Sequence, residues 1–182
     1  MTKLSSDGGL FFFQKRAYTS LMSSWVRKAT AADMDGVYLM GYDAWGKRQR
    51  TAEYLASCRS SHKYNQGEWF LLEDAGHVAV SSLIVYRLSS DSAGIGSIAT
   101  VPEKRKRGFG AELVRSIVEL LDQRKIRAIF LFSDIAPKFY EQFGFKALPP
   151  EYQKHSGSVC MIRARSMEGF LKSPDFRLPD YF

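Results

Sequence analysis

The chain is poor in cysteine: Cys58 and Cys160 are the only two among 182 residues. Two thiols so far apart make no disulfide framework, and neither has a metal-ligating neighbour at zinc spacing. The expectation is a reduced, cytoplasmic compartment and no metal. Long apolar runs are also missing. Nothing approaches the roughly 20 residues that a spanning helix needs, so no membrane span is expected. The segment Gly9-Leu10-Phe11-Phe12-Phe13 is too short for the apolar core of a signal peptide, and no small-residue cleavage site follows it. No glycine-rich loop leads into Gly-Lys-Ser/Thr, and none carries the third glycine of a dinucleotide fingerprint, so both of those phosphate-binding motifs are excluded. No internal repeat is visible.

What is present describes a globular protein. Apolar residues make up 45% and charged residues 25%, and the length favours one domain with a real core. The net charge of +7 is compatible with an anionic partner but does not choose between nucleic acid, anionic lipid and a phosphorylated cofactor. The densest basic cluster is the run Lys104, Arg105, Lys106 and Arg107, which breaks into Gly108-Phe109-Gly110.

Residues 1–24 lack sustained periodicity and read as an extension, with Met22 an alternative start. The pattern begins at Trp25. Residues 25–30 alternate as a strand, and Thr30 with Asp33 imitates a capping box. Residues 31–45 place Met34, Val37, Tyr38 and Met40 at roughly helical spacing. A second helix is expected over 51–62, with Thr51 as its cap. Residues 68–74 and 77–88 form a hairpin turning at Asp74-Ala75-Gly76. A polar loop covers 89–93, a strand 94–101, and Pro102 ends it. A helix over 108–124 aligns Leu113, Ile117, Leu120 and Leu121 on one face. The unbroken apolar run 128–132 suits a strand buried on both sides. Pro137 suits the first turn of a short helix that stops at Gly144. Residues 145–148 and 158–164 finish as strands around Pro149 and Pro150. The tail from 166 has no assignable structure. The order predicts a single mixed α/β domain over 25–165, with a right-handed strand–helix–strand unit over 94–132.

The basic loop therefore sits between a strand and a helix. The first N–H groups of a helix have no intrahelical partner, and the macrodipole adds partial positive charge. Such a helix start binds anions, and Gly108 and Gly110 leave room for a phosphate to approach the backbone. A solvated basic turn explains the loop alone equally well.

The wider spacing adds information. The segment Val101-Pro102-x-x-Arg105-x-x-Gly108-x-Gly110 resembles the cofactor motif of the GNAT N-acetyltransferase superfamily, Arg/Gln-x-x-Gly-x-Gly/Ala. Downstream, Ser133, Ala136, Phe139, Tyr140, Gly144 and Phe145 resemble that superfamily's next signature, Asn-x-x-Ala-x-x-Leu/Phe-Tyr closed by Gly-Phe. Ser133 replaces the usual Asn. It is shorter and offers fewer hydrogen bonds.

The resemblance implies a GNAT-like mixed sheet with acetyl-CoA lying in an opening between the strands over 94–101 and 128–132. It implies that the amides of Arg107, Gly108, Phe109, Gly110 and Ala111 hold the pyrophosphate, with Arg105 and Lys106 on the same turn. The backbone of Ile98, Ala99, Thr100 and Val101 would pair with the pantetheine arm, and an amide near Ile98 or Ala99 would polarise the thioester carbonyl. Ser133, Ala136 and Phe139 would line the same site. Tyr140 would act as the general acid toward the CoA thiolate. It lies one step off the Phe139–Phe143 core face.

The acceptor would be a small-molecule or protein amine. It must lose a proton, since an alkyl ammonium has a pKa of about 10. The 94–101 strand has no carboxylate to serve as base. Glu68, Glu73 and His155 are each better explained at the surface, and a water chain could serve instead. Tyr38, Tyr42, Trp45 and Tyr54, with Asp43 and Glu53, could hold a cationic acceptor. They could equally belong to the core or to a homodimer contact. A non-catalytic acyl-CoA-binding module is the alternative function. Nucleic-acid binding through the basic run is not expected, and would show steep salt dependence.

Overall fold

The computed structural model describes residues 24–173 and 176–180. The extension over 1–23, including Met22, lies outside the described residues. Seven strands form one sheet: β1 (Trp25–Lys28), β2 (Glu68–Glu73), β3 (Ala79–Arg87), β4 (Ser92–Thr100), β5 (Ala128–Ser133), β6 (Lys146–Ala147) and β7 (Val159–Ala164). Their spatial order is β1-β2-β3-β4-β5-β7-β6. The first four form an antiparallel meander. β4 and β5 are parallel, and β7 pairs antiparallel with both β5 and β6. The expected single mixed α/β architecture is present.

The crossover from β4 to β5 runs through the helix Phe109–Gln123. Its 15 residues bury Phe109, Leu113, Val114, Ile117, Val118 and Leu121, a stripe at i, i+4 and i+3 spacing. That stripe packs on Phe70, Leu72, Val80, Leu83, Ile95, Ile129 and Leu131, which are the residues of the strands facing that side. The short helix Lys138–Glu141 lies on the same face and adds Tyr140, Phe143 and Phe145 to this core.

The opposite face is covered differently. Four short helices lie over it: α1 (Met34–Leu39), α2 (Tyr42–Trp45), α3 (Thr51–Arg59) and α4 (His62–Asn65). The crossover helix is therefore α5 and Lys138–Glu141 is α6. The short helices bury Val37, Tyr38, Met40, Tyr54 and Cys58 against Trp69, Leu71, Ile84, Tyr86 and Ala99.

Several boundaries differ from expectation. The single helix expected over 31–45 is a 3-10 turn (Ala31–Asp33), then α1 and α2, interrupted at Gly41. A Cβ on Gly41 would lie 2.1 Å from the Trp45 ring, so close packing of the indole on the backbone fixes this break. The helix expected over 51–62 is divided into α3 and α4, with Ser61 capping α4 through Tyr64 N–H. Arg50 occupies the N-cap of α3, and Thr51 is its first residue. At Thr30, the Asp33 carboxylate accepts from both the backbone N–H and the hydroxyl, each at 2.7 Å. β4 begins two residues earlier than its sequence pattern suggests, because Ser92 and Ala93 pair with Ala128 and Ile129. Pro137 is the N-cap of α6, and the strand expected over 145–148 is only two residues long. The tail is not structureless: Ser166 caps a seventh helix, α7 (Met167–Leu171), and Phe170 and Phe176 pack near Phe130.

Candidate active site

The site arises where β4 and β5 stop being partners. Their parallel ladder holds at Ser92–Ala128, Ala93–Ile129 and Gly94–Phe130, and ends there. On its other edge β4 has a bulge. The pairs Ser82–Ala99 and Ile84–Gly96 take two steps along β3 but three along β4, so β4 carries one extra residue. Ser97, with φ of 45°, lies within that insertion. A bulge bends its strand and increases local twist. The two strands splay, and a cleft of about 380 Å³ opens between them.

Residues from several elements line this cleft. β4 contributes its segment 95–100, including Ser97, Ile98, Ala99 and Thr100, and β5 contributes Leu131 and Phe132. Gly41, Ala44 and Trp45 come from the α1–α2 corner, and Asp134, Ile135 and Tyr140 from the segment after β5. Arg105 stands at the rim. Of the expected site residues, Ile98, Ala99, Thr100, Arg105 and Tyr140 therefore meet in one place.

The glycine loop follows Arg105, and Gly110 comes close to Thr100 of the cleft, where an added Cβ would lie 3.2 Å from the hydroxyl oxygen. Gly108 is the N-cap of α5 with φ of 89°, a left-handed conformation that a residue with a side chain adopts at a cost. A Cβ there would meet nothing within 4 Å, so the space in front of the first turn is open. Lys106 is also left-handed, with φ of 59°. The first turn of α5 thus presents the amides of 109–111, with Glu112 N–H the first to be bonded, to Gly108 O at 2.9 Å.

The basic run is divided between two tasks. The Lys104 ammonium pairs with Asp74 at 3.1 Å, tying the loop to the β2–β3 turn. The Arg105 guanidinium donates to Asp43 at 2.6 and 2.7 Å, to Thr100 O at 2.9 Å and to Met40 O at 3.3 Å. Arg105 holds the Asp43 carboxyl below the ordinary carboxylate range. Lys106 and Arg107 make no ion pair among the described residues. The Arg107 guanidinium lies 5.8 Å from the centre of the Phe109 ring.

Tyr140 is buried on α6, with its ring edge-on to Phe139 and Phe145. Burial pushes its phenol up to about 12, and the negative charge of Asp134 adds to the shift. The group stays protonated across the physiological range and carries a proton that it can give. Phe139 packs edge-on against Phe143 and faces the core. Ala136 is exposed and accepts the Phe139 N–H at 3.1 Å. The buried Ser133 hydroxyl donates to Ile135 O at 2.7 Å, so its proton is used locally. Val101 N–H bonds Val80 O at 3.0 Å and closes the β3–β4 ladder.

The other candidates are distributed by the fold. Tyr38 and Tyr54 belong to the core under α1 and α3, and the Tyr42 hydroxyl donates to Gln49 O. Glu53 pairs with Arg50. Trp45 alone of that aromatic set reaches the cleft. Glu68 pairs with Lys28 and Arg124, and Glu73 with Arg27. His155 is exposed and stands edge-on to Phe132, outside the cleft lining.

Sequence reading missed Asp134, the only carboxylate among the described residues that line the cleft. Its signal was available: β5 alternates Ile129 and Leu131 toward α5 with Phe130 and Phe132 away from it, so position 134 continues the face opposite α5. On that side, its charge acts on Lys63 of α4.

A second, larger cavity of about 1000 Å³ lies at the far end of the sheet, bordered by Arg87, Asp91, Arg127 and the 176–180 segment. It contains neither Arg105 nor Tyr140, whereas the bulge and the open edge of β4 meet at the smaller cleft. Among the described residues there is no group of His, Cys, Asp and Glu arranged to hold a metal, and no helix long and apolar enough to cross a membrane.

Comparison with known proteins agrees with this geometry. Residues 25–148, more than half of the chain, match the family model described as acetyltransferase (GNAT) domain. A search of curated proteins finds no match. Among solved structures, a spermidine N-acetyltransferase chimera from Vibrio cholerae is 15% identical, with a TM-score of 0.61 over 85% of this chain and 100% of that one. The ribosomal-protein-S18-alanine N-acetyltransferase from Escherichia coli is 17% identical, with a TM-score of 0.59 over 85% of this chain and 99% of that one. A Mycobacterium tuberculosis protein solved in complex with CoA is 16% identical, with a TM-score of 0.57 over 76% of this chain and 98% of that one.

Proposed function

The chain belongs to the GNAT acetyltransferase family, and from that premise we propose that it is an acetyl-CoA-dependent N-acetyltransferase acting on a primary amine. The catalytic domain spans 25–165. The observation that carries this reading is the splayed β4–β5 pair, with an open strand edge on one side and the left-handed Gly108 at the head of α5 close by.

These residues fit the cofactor. The amides of 107–111 suit the pyrophosphate, and the open ground in front of Gly108 leaves space for it. Lys106 and Arg107 add positive charge at the rim for the remaining phosphate. The unpaired edge of β4 from Ile98 onward suits the amide groups of the pantetheine arm, which would extend the sheet by one strand. Tyr140 forms the α6 side of the same cleft, while Phe139 packs on the core beside it and Ala136 lies at the surface. The Ser133 hydroxyl is engaged on Ile135 O, so any part it takes is through its oxygen as acceptor.

Bound there, acetyl-CoA supplies an acetyl thioester open to direct attack by an amine. The chain's own groups do the rest. An amide of Ile98 or Ala99 donates to the carbonyl oxygen as negative charge grows on it. Tyr140, held neutral by burial, gives its proton to the departing sulfur. Asp134, on the face opposite α5, is placed to hold the incoming ammonium and accept its proton. Trp45, Phe132 and Ile135 provide an apolar wall for the alkyl part.

The test is release of free CoA thiol from acetyl-CoA over a broad panel of amines, from polyamines to N-terminal peptides. The reading predicts amine-dependent release. Tight CoA binding with no release on any amine would assign a binding module instead.

A further inference from the structure

The strongest unexplained contact is the one made by Arg105. All three guanidinium nitrogens are engaged: Nε on Thr100 O, Nη1 on Asp43 Oδ2, and Nη2 on Asp43 Oδ1 and Met40 O. Its backbone stands three residues ahead of Gly108, at the entry to the glycine loop. Besides Thr100, its partners Asp43 and Met40 lie on the α1–α2 corner, 62 and 65 residues away in sequence. The residue at the motif position expected to serve the pyrophosphate therefore points its charge at the opposite wall of the cleft.

That wall needs an external hold. α1 has six residues and α2 has four. Helices this short are not stable by themselves. Directly after them, Lys47 and Arg48 are both left-handed, with φ of 46° and 64°. Yet the same corner brings Gly41, Ala44 and Trp45 into the cleft. The Arg105 and Asp43 side chains are 39% and 48% exposed. An ion pair so accessible adds little to global stability, so its effect is local to the corner it grips.

We propose that Arg105 and Asp43 form a positioning pair that couples the cofactor loop to the acceptor wall. Ordering of residues 105–111 around the pyrophosphate holds the guanidinium, the guanidinium holds the Met40–Asp43 corner, and the corner sets Trp45 for the amine. The inference rests on the acetyl-CoA reading of the cleft. Because coupling is reciprocal, the acceptor must tighten CoA by the same factor that CoA tightens the acceptor.

The experiment uses the full chain, with CoA as the probe. CoA affinity is measured by calorimetry, and hydrogen exchange across residues 40–46 is followed with and without CoA. Steady-state constants are then taken for the best amine of the panel. In the wild type, CoA slows exchange at 40–46. In Asp43→Asn that protection is lost while CoA affinity changes by less than about threefold, and the amine KM rises about tenfold with kcat nearly constant. Asp43→Glu restores part of both. If Arg105 is instead a direct phosphate ligand, Arg105→Lys weakens CoA tenfold or more and Asp43→Asn leaves exchange and amine KM unchanged; that result overturns the proposal. A wild type that binds CoA without slowing exchange at 40–46 also overturns it. A wild type that does not bind CoA overturns the acetyltransferase reading itself.

Discussion

One face of the sheet is covered mainly by the 15-residue α5, with the short α6 beside it, whereas the α1–α4 cover of the other is made of helices of four to nine residues. On the α5 face, one periodic stripe meets the strands and fixes the loop that begins the helix. On the α1–α4 face, the cover is held by contacts distant in sequence: Arg59 on Asp35, Arg105 on Asp43, and the stacking of Tyr38 with Tyr64. On the proposed function the difference separates two jobs: the cofactor loop would stand at the head of one long helix, and the acceptor wall would be assembled from short helices held by distant contacts.

The largest effect should come from breaking the α5 stripe. Leu113 is fully buried at its centre, so Leu113→Ala should destabilise the protein by about 2–5 kcal/mol in urea unfolding. A loss below 1 kcal/mol would mean that α5 is not the anchor of that face. Next is chemistry. Tyr140→Phe should lower kcat by about 100-fold, a typical loss for a general acid, with acetyl-CoA affinity held. Equal rates across the pH range would remove Tyr140 from the mechanism.

Asp134→Asn sharpens the contrast between faces. It should reduce kcat/KM about tenfold for alkyl ammonium acceptors and leave an aromatic amine, already neutral at pH 7, nearly unaffected. An equal loss on both amines would make Asp134 a structural residue. Gly108→Ala should cost about 1 kcal/mol of stability from the left-handed backbone. It should also weaken CoA measurably, because the added methyl enters the open ground at the helix mouth.

A last effect is on alkaline stability. Burial raises the Cys160 thiol from its ordinary 9.0 to about 11, and Tyr140 from 10.0 to about 12. The folded chain holds these protons more tightly than the unfolded one. Their contribution is complete below about pH 9 and falls as pH rises from 9 to 12. Melting curves taken across that range should show a steady decline that starts near pH 9, and a flat profile to pH 11 would show that neither group is dry.

These two faces were not equally legible. The α5 stripe could be read from the chain because a helix long enough to repeat its pattern reports its own burial, and Gly108, Tyr140 and the closing Gly144-Phe145 occur at fixed spacings beside it. The break at Gly41 depends on where the Trp45 ring lies, and the early start of β4 depends on pairing with β5; neither is a local property. The basic run was misleading in a similar way. Four adjacent cations suggest one anion site, but Lys104 and Arg105 are engaged by Asp74 and Asp43, residues that only the fold brings near. The helix start at Gly108, which depends on local backbone rules, was legible in the same segment.

If the splayed β4–β5 cleft, and not the larger cavity at the other end of the sheet, receives the cofactor, titrating CoA into the isotope-labelled protein shifts the backbone amides most at residues 107–111 and 98–101. Shifts concentrated instead at Arg87, Asp91 and Arg127 would contradict it.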